Sequence, residues 1–510
     1  MSFVVSLFVF VSRLIELAKN GFSALIKDSK QLGFLLIYFS SFVVSVVFIY
    51  EGTLLFYTYL KMADVWVDIK VGSWVSPSIF CFDTISLGLV FMTVTIFPGC
   101  FLYVLNRPDR HLWALYLILT EILVLLAFVS LDLLFFFIMF ESLIFPMYKM
   151  ILGWGSKGDI RLTAARSFVI YTVLGSLLLL FTIIYLHSAF GSTSVAMLKN
   201  FNWDLPDFLL FVLFIAFATK VPTFPFYHWL TLAHVEASTV GSVILAALIL
   251  KLGSYGFIRF LIPLYREHLA FYLWRHFAIS LFIVSMLFAA LAATVQTDMK
   301  RIVAYSSIEH INLAIIGLAL CSTISVVGSY VIMLAHGWVA AGLFFAVGWV
   351  YDRRHQRDLL YYRGYAVIDG WWSIFFGLLL LANIGFPITL NFFGEFQILI
   401  DLFGQYTEMV VLVFFTIIAN VVYTLKLGFI MWGSPYSYLF NGVQKSTVDR
   451  LFRVLILVLL LALPVLFIVM AGHPEYYPSA SILLEKTFSH WRIVSIQSTW
   501  PWSASKWLWV

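Results

Sequence analysis

An all-α polytopic membrane protein is the fold class this sequence predicts, and three observations predict it. The composition is 62% hydrophobic and only 11% charged over 510 residues, where a soluble domain carries about one-quarter charged residues. Apolar runs of about 20 residues, the length that crosses a bilayer as a helix, recur from end to end. Lysine and arginine crowd into alternate loops between those runs, an asymmetry that fixes orientation in a membrane.

Taken in order, the runs give about 14 transmembrane helices. They lie at 1–18, 33–58, 78–105, 111–129, 131–152, 166–190, 206–231, 237–262, 275–296, 302–321, 323–350, 371–396, 405–432 and 451–472. The opening MSFVVSLFVFVSRLIELAKN lacks an early basic region and a small-residue cleavage site, so it reads as a first span and not as a signal peptide. Loops after odd-numbered spans carry most of the basic residues, among them Arg107, Arg110, Lys157, Lys300, Arg301 and Arg357. Those loops therefore face the cytoplasm or mitochondrial matrix, and an even helix count puts both termini on the opposite side.

Helices 7 and 12 read as broken. Pro222 and Pro225 follow Lys220 at once, and NIGFPITLNFFGEF sets Gly385, Pro387 and Gly394 around a polar patch. Interrupted helices at matching places in two halves point to inverted repeats. The expected organisation is helices 1–3 over 1–110, a first five-helix repeat (helices 4–8) over 111–262 and a second (helices 9–13) over 275–432, inverted to each other. Helix 14 over 451–472 and a C-terminal extension over 473–510 follow. That extension ends in STWPWSASKWLWV, whose tryptophans suit a membrane interface or a subunit contact equally.

Several function classes are excluded. Cys81, Cys100 and Cys321 sit in apolar runs without metal-ligand spacing, so no metal site, iron–sulfur cluster or disulfide framework is expected. No Rossmann fingerprint or P-loop is present, so no cofactor-binding residues for nucleotide, flavin or NADH are expected. The net charge of +5 lies in short loops, which speaks for orientation in the lipid bilayer and not for nucleic acid.

A charge at mid-bilayer depth costs roughly 2.5–3.5 kcal/mol on insertion scales, so each one asks for a reason. FATKVPTFPFYHWLTLAHVEASTVGSVILAALILKLGSYGFIRF holds two, Lys220 and Lys251, on consecutive spans. Glu141 lies deep in the fifth span. Paired with Lys220 it would stay ionised, and separating the pair would let the lysine shed its proton, a usable switch for a pump. The plainer alternative is a fixed ion pair holding two helices. Lys251 lies mid-span, which favours a relay over snorkelling to the interface. His310 and His336, in the tenth and eleventh spans beside Ser306, Ser307 and Glu309, can hold and pass protons near neutral pH. A hydrogen-bonded core histidine is the alternative for each. Glu395, in the broken twelfth span, would end the series, unless it is a loop or helix-cap carboxylate. Glu121 and Lys426 are weaker candidates. His228, His234 and Glu236 cluster after the seventh span near the basic-loop face, to line proton uptake or to cap the eighth helix.

At these residues the sequence resembles the antiporter-like membrane subunits of respiratory NADH:ubiquinone oxidoreductase, complex I. HVEA followed by LKLGSYG, with AYSSIEHINLAIIG, MLAHGWVAAGLFFAVGWVYDR and GFPITLNFFGEFQIL, carries a resemblance that runs from about residue 83 to about residue 430 and looks like the chain 4 type. The resemblance implies a proton-translocating channel in the membrane arm. Glu141 and Lys220 would be its modulating pair, Lys251 the central relay, His310 and His336 the connecting histidines, and Glu395 the terminal residue. It also implies that FMN, iron–sulfur clusters and ubiquinone belong to other subunits. Neighbouring antiporter-like subunits would be partners, with cardiolipin among the lipids. The setting would be the mitochondrial inner membrane, both termini in the intermembrane space. Thr231 and Ser238 stand where the family usually has proline, which puts the local helix geometry in question. Two rivals stay open: a subunit of a multisubunit sodium/proton antiporter, and a non-pumping membrane scaffold whose charges only hold helices together.

Overall fold

The computed structural model describes residue 80 and residues 84–433, apart from 105–106, 108, 156–157, 196–197, 199–205 and 266–268. The expected helices 1, 2 and 14, the C-terminal extension and Cys81 lie outside the described residues.

Within them the chain is helical. The elements are α1 (Thr84–Val104), α2 (Arg110–Phe128), α3a (Leu133–Ser142), α3b (Ile144–Trp154), α4 (Ile160–Phe190), α5a (Asp207–Ala218) and α5b (His228–Glu236). Then come α6 (Thr239–Tyr265), α7 (Leu269–Val295), α8 (Met299–Leu320), α9 (Thr323–Arg354), α10a (Gly370–Ile384), α10b (Leu390–Gln405) and α11 (Thr407–Trp432). They fall where the sequence places spans three to thirteen. Among the described residues, 9 helices are long and apolar enough to cross a membrane without a sharp bend.

Local chemistry explains the ends and the breaks. Ser238, in the place of a family proline, caps α6: its Oγ accepts from the Gly241 N–H at 3.2 Å. Thr231, at the other such position, bonds back to the His228 carbonyl at 3.1 Å within α5b. Asp298 caps α8 by accepting from the N–H groups of Lys300 and Arg301 at 2.9 and 3.3 Å. Between α5a and α5b the prolines supply no N–H, so the helical ladder cannot continue. The freed groups find partners: the Thr219 carbonyl accepts from Trp229 Nε1 at 3.1 Å, and the Phe224 N–H donates to Ser285 Oγ at 2.7 Å. Between α10a and α10b the backbone turns at Gly385, whose φ of 75° favours glycine.

The helices form a core and a rim. The apolar window of α6 is 100% buried and those of α8 and α9 are 94% buried, whereas α3, α4 and α11 bury only 39%. The rim helices turn Leu174, Ile184, Phe415 and Phe429 outward. Such a surface is untenable in water and at home in lipid, where helices satisfy their own backbone. Every ionisable group on α6, α8 or α9 at span depth is therefore inside protein, while one on α3 stands at the flank.

Candidate proton pathway

The break in the seventh span positions Lys220. It follows directly on α5a, whose carbonyl-rich C-terminus favours a cation. Its Nζ donates to the Thr172 carbonyl of α4 at 2.7 Å, lies 4.1 Å from the centre of the Phe140 ring, and stands 3.7 Å from Glu141 Oε1. Lys220 is buried, whereas the Glu141 side chain is 24% exposed at the rim.

Lys251 is fully buried in α6. A π turn, Leu245–Ile249, precedes it, and its Nζ donates to the Ala246 carbonyl at 2.7 Å. π turns are rare and concentrate at functional sites. The following glycine holds the two lysine-bearing segments together: a Cβ on Gly253 would come within 2.8 Å of Val221 Cγ2 and 3.2 Å of Lys220 Cβ. The LKLG stretch thus needs glycine for close approach.

In the core, the His310 and His336 rings lie 5.1 Å apart, centre to centre. Both are buried, and neither nitrogen of His336 has a hydrogen-bond partner among the described residues. His310 Nδ1 is 3.3 Å from Glu395 Oε1. Glu395 belongs to α10b, past the helix cap, and packs against the turn before it: a Cβ on Gly385 would come within 2.4 Å of its Oε2. Around the break, Asn383 Nδ2 donates to Thr424 Oγ1 at 3.3 Å, Asn420 Nδ2 to the Asn383 carbonyl at 3.0 Å, and Asn391 Nδ2 to the Ala382 carbonyl at 2.9 Å.

The remaining candidates separate. Glu121 is buried on α2. His228 is exposed, so the cluster with His234 and Glu236 does not form. His234 is buried and stacked on Phe344 at 4.7 Å. Glu236 accepts two hydrogen bonds from Arg357, at 2.7 and 3.1 Å, a bidentate clamp between the end of α5b and the loop after α9. Burial opposes charge on Arg357, but the bonds and charge of Glu236 outweigh it and hold the guanidinium firmly protonated. Lys426 donates to the carbonyls of Thr294 and Gln296 at 2.8 and 2.9 Å, which caps the end of α7.

Three buried charges escaped sequence reasoning. Lys300, counted among loop charges, is buried with its Nζ on the Ala237 carbonyl at 3.0 Å. Arg259 donates to Tyr255 Oη and Ser86 Oγ, both at 3.0 Å. Its signal was an arginine inside the apolar run FIRFLIP. Glu309, noticed only as a neighbour of His310, accepts from Tyr423 Oη at 2.8 Å. A cavity of about 900 Å³ opens on the basic-loop face, lined by Tyr103, Asp298, Tyr351, Asp352 and Arg357 among others. Burial pushes the Asp298 carboxyl up there, against the pull of Arg357 and the capped N–H groups. No group of three or more His, Cys, Asp or Glu among the described residues is disposed to hold a metal ion.

Residues 130–420 match the family described as NADH:quinone oxidoreductase/Mrp antiporter, TM. NADH-ubiquinone oxidoreductase chain 4 of Acanthamoeba castellanii is 38% identical over 349 residues, covering 68% of this chain and 70% of that one. A chain of respiratory complex I from Thermus thermophilus, solved with bound NADH, is similar at TM-score 0.71 and 26% identity, over 81% of this chain and 85% of its own. A chain of the Mrp complex from Dietzia sp. DQ12-45-1b reaches TM-score 0.75 at 17% identity, over 96% and 97%; at that identity the likeness concerns the fold alone.

Proposed function

This chain belongs to the NADH:quinone oxidoreductase/Mrp antiporter family, and we propose that it is the chain 4 type proton-pumping subunit in the membrane arm of respiratory complex I. The observation that carries this reading is a set of buried ionisable side chains, Lys220 in the break between α5a and α5b and Lys251, His336, His310 and Glu395 on helices otherwise built mostly from apolar residues. Each elementary charge moved outward works against about 2.3 kcal/mol per 100 mV of membrane potential. Quinone reduction on other subunits, which carry FMN, iron–sulfur clusters and ubiquinone, supplies that energy.

The chain's own residues hold and pass the proton. The charged form of Lys220 is favoured by Glu141, the Thr172 carbonyl and the Phe140 face; moving Glu141 away removes its only anionic partner among the described residues and frees its proton. Lys251 receives charge in the core, and the His336 and His310 rings pass it to Glu395. The cavity on the basic-loop face is lined by Ala237, whose carbonyl holds Lys300, and His234 feels the charges of both Lys300 and Lys251; this arrangement suits uptake from the matrix. The breaks fit two inverted repeats, α2–α6 and α7–α11, with the broken helix fourth in each. The whole is a 14-helix subunit of the mitochondrial inner membrane with both termini in the intermembrane space, beside other antiporter-like subunits and lipid, cardiolipin included.

Native electrophoresis of gently solubilised membranes, stained for NADH oxidation and probed for this chain by mass spectrometry, tests the assignment. Comigration with NADH-oxidising activity in a large assembly supports it. A small assembly without that activity, showing sodium-dependent proton flux, would replace it with the free-standing antiporter.

A further inference from the structure

The site at the second helix break holds one carboxylate too many for a simple pair. Glu309 and Glu395 are both buried, and His310 is the base between them: next to Glu309 in the chain and 3.3 Å from Glu395. No lysine or arginine among the described residues forms an ion pair with either carboxylate. Lys426 lies three residues beyond Tyr423 on the same helix, but its ammonium is committed to the carbonyls of Thr294 and Gln296. Of the elements packed against this part of α8, α9 presents His336, α10b presents Glu395 and α11 presents Tyr423. The charges of His310 and Glu395 both act on Glu309.

With both carboxylates ionised and His310 protonated, the cluster would keep one uncompensated negative charge in a buried site, which is strongly disfavoured. The C-terminal end of α10a, against which Glu395 rests, adds to the penalty. A neutral cluster therefore holds two protons among three groups.

We propose that Glu309 is a further proton-carrying residue of this pathway, forming with His310 and Glu395 a site that stores two protons, with Tyr423 as its positioning residue. The inference rests on the proton-pathway reading above. The step balances without any outside reagent. His310 passes its Nδ1 proton to Glu395 Oε1, and both become neutral. Glu309 then gives its proton to the imidazole at the vacated Nδ1, while Nε2, which has no hydrogen-bond partner among the described residues, keeps its own. Glu309 becomes the counter-charge, held by the Tyr423 hydroxyl at 2.8 Å. Net charge stays at zero throughout, and Glu395 is left protonated, ready to release outward, while His310 remains charged.

The test uses the whole complex in sealed inner-membrane vesicles carrying Glu309→Gln, Glu309→Asp or Tyr423→Phe, with Glu395→Gln as reference. Assembly is checked by native electrophoresis. Glu309→Gln should lower proton-coupled NADH oxidation about tenfold and remove one protonated-carboxyl band from the infrared difference spectrum between resting and energised states. Glu309→Asp should restore both, and Tyr423→Phe should shift that band with a smaller loss of rate. Full coupling and an unchanged carboxyl band in assembled Glu309→Gln, alongside a defective Glu395→Gln, would overturn the role of Glu309 and leave the pathway standing. Full coupling in Glu395→Gln as well would overturn the pathway reading itself.

Discussion

In the first half of the molecule a carboxylate on α3 meets a lysine beside a broken helix; in the second half an imidazole on α8 meets a carboxylate beside the other broken helix. Counted from α2 and from α7, the partners fall on the second and fourth helices of each set. The surroundings differ. Glu141 is 24% exposed at the rim and 3.7 Å from Lys220, whereas His310 and Glu395 are 2% and 8% exposed and 3.3 Å apart. A rim pair can be opened by a neighbour that touches it. A core pair answers only to what arrives through the protein, and there, on the proposed reading, a second carboxylate, Glu309, becomes the counter-charge of His310 once Glu395 is protonated. On the proposed reading, the same arrangement of helices serves a switch at one end and a store at the other.

Four substitutions test that contrast, in falling order of effect. Lys220→Met removes the charged group at the first break and should reduce proton-coupled NADH oxidation about tenfold or more in assembled complex, read as turnover together with proton-to-electron ratio. Glu141→Gln removes only the exposed partner, and Lys220 keeps the Thr172 carbonyl and the Phe140 face. A loss of about fivefold is expected, equivalent to ~1 kcal/mol for a partly exposed pair. Equal losses in these two variants would dissolve the distinction between switch and carrier. Gly385→Ala forces a side chain into a left-handed backbone position, at a cost of about 1–2 kcal/mol, and pushes Glu395 off its seat. Thermal unfolding of the detergent-solubilised complex should shift down, with a coupling defect confined to the second half. Lys426→Met should destabilise α7 by about 1 kcal/mol through two unsatisfied carbonyls and leave coupling intact. A coupling defect there would make Lys426 part of the pathway and remove the argument that Glu309 lacks a cation.

Much of this was legible residue by residue. The runs that became α1 to α11 announced themselves by length and apolarity, and both breaks by proline and glycine in mid-span. Lys220, Lys251, His310, His336 and Glu395 stood out because charge among apolar neighbours is visible in one dimension. Lys300 did not, because at the start of α8 a lysine reads as a loop charge until the Ala237 carbonyl is seen folded over it. The supposed cluster of His228, His234 and Glu236 failed for a related reason: they are close in sequence, but one faces out, one stacks on Phe344 and one is claimed by Arg357, 121 residues away.

The sequence by itself determined the solvent, the number and placement of apolar segments in this region, and which side chains carry an energetic cost inside them, since each of these depends on local composition. Only the tertiary structure decided which charges meet. Tyr423 reaches Glu309 across 114 residues, and Lys220 finds the carbonyl of Thr172 across 48. Such contacts depend on which faces of distant helices pack together. Near mid-bilayer those faces are apolar all round, so no periodicity in the sequence marks the side on which a partner will stand.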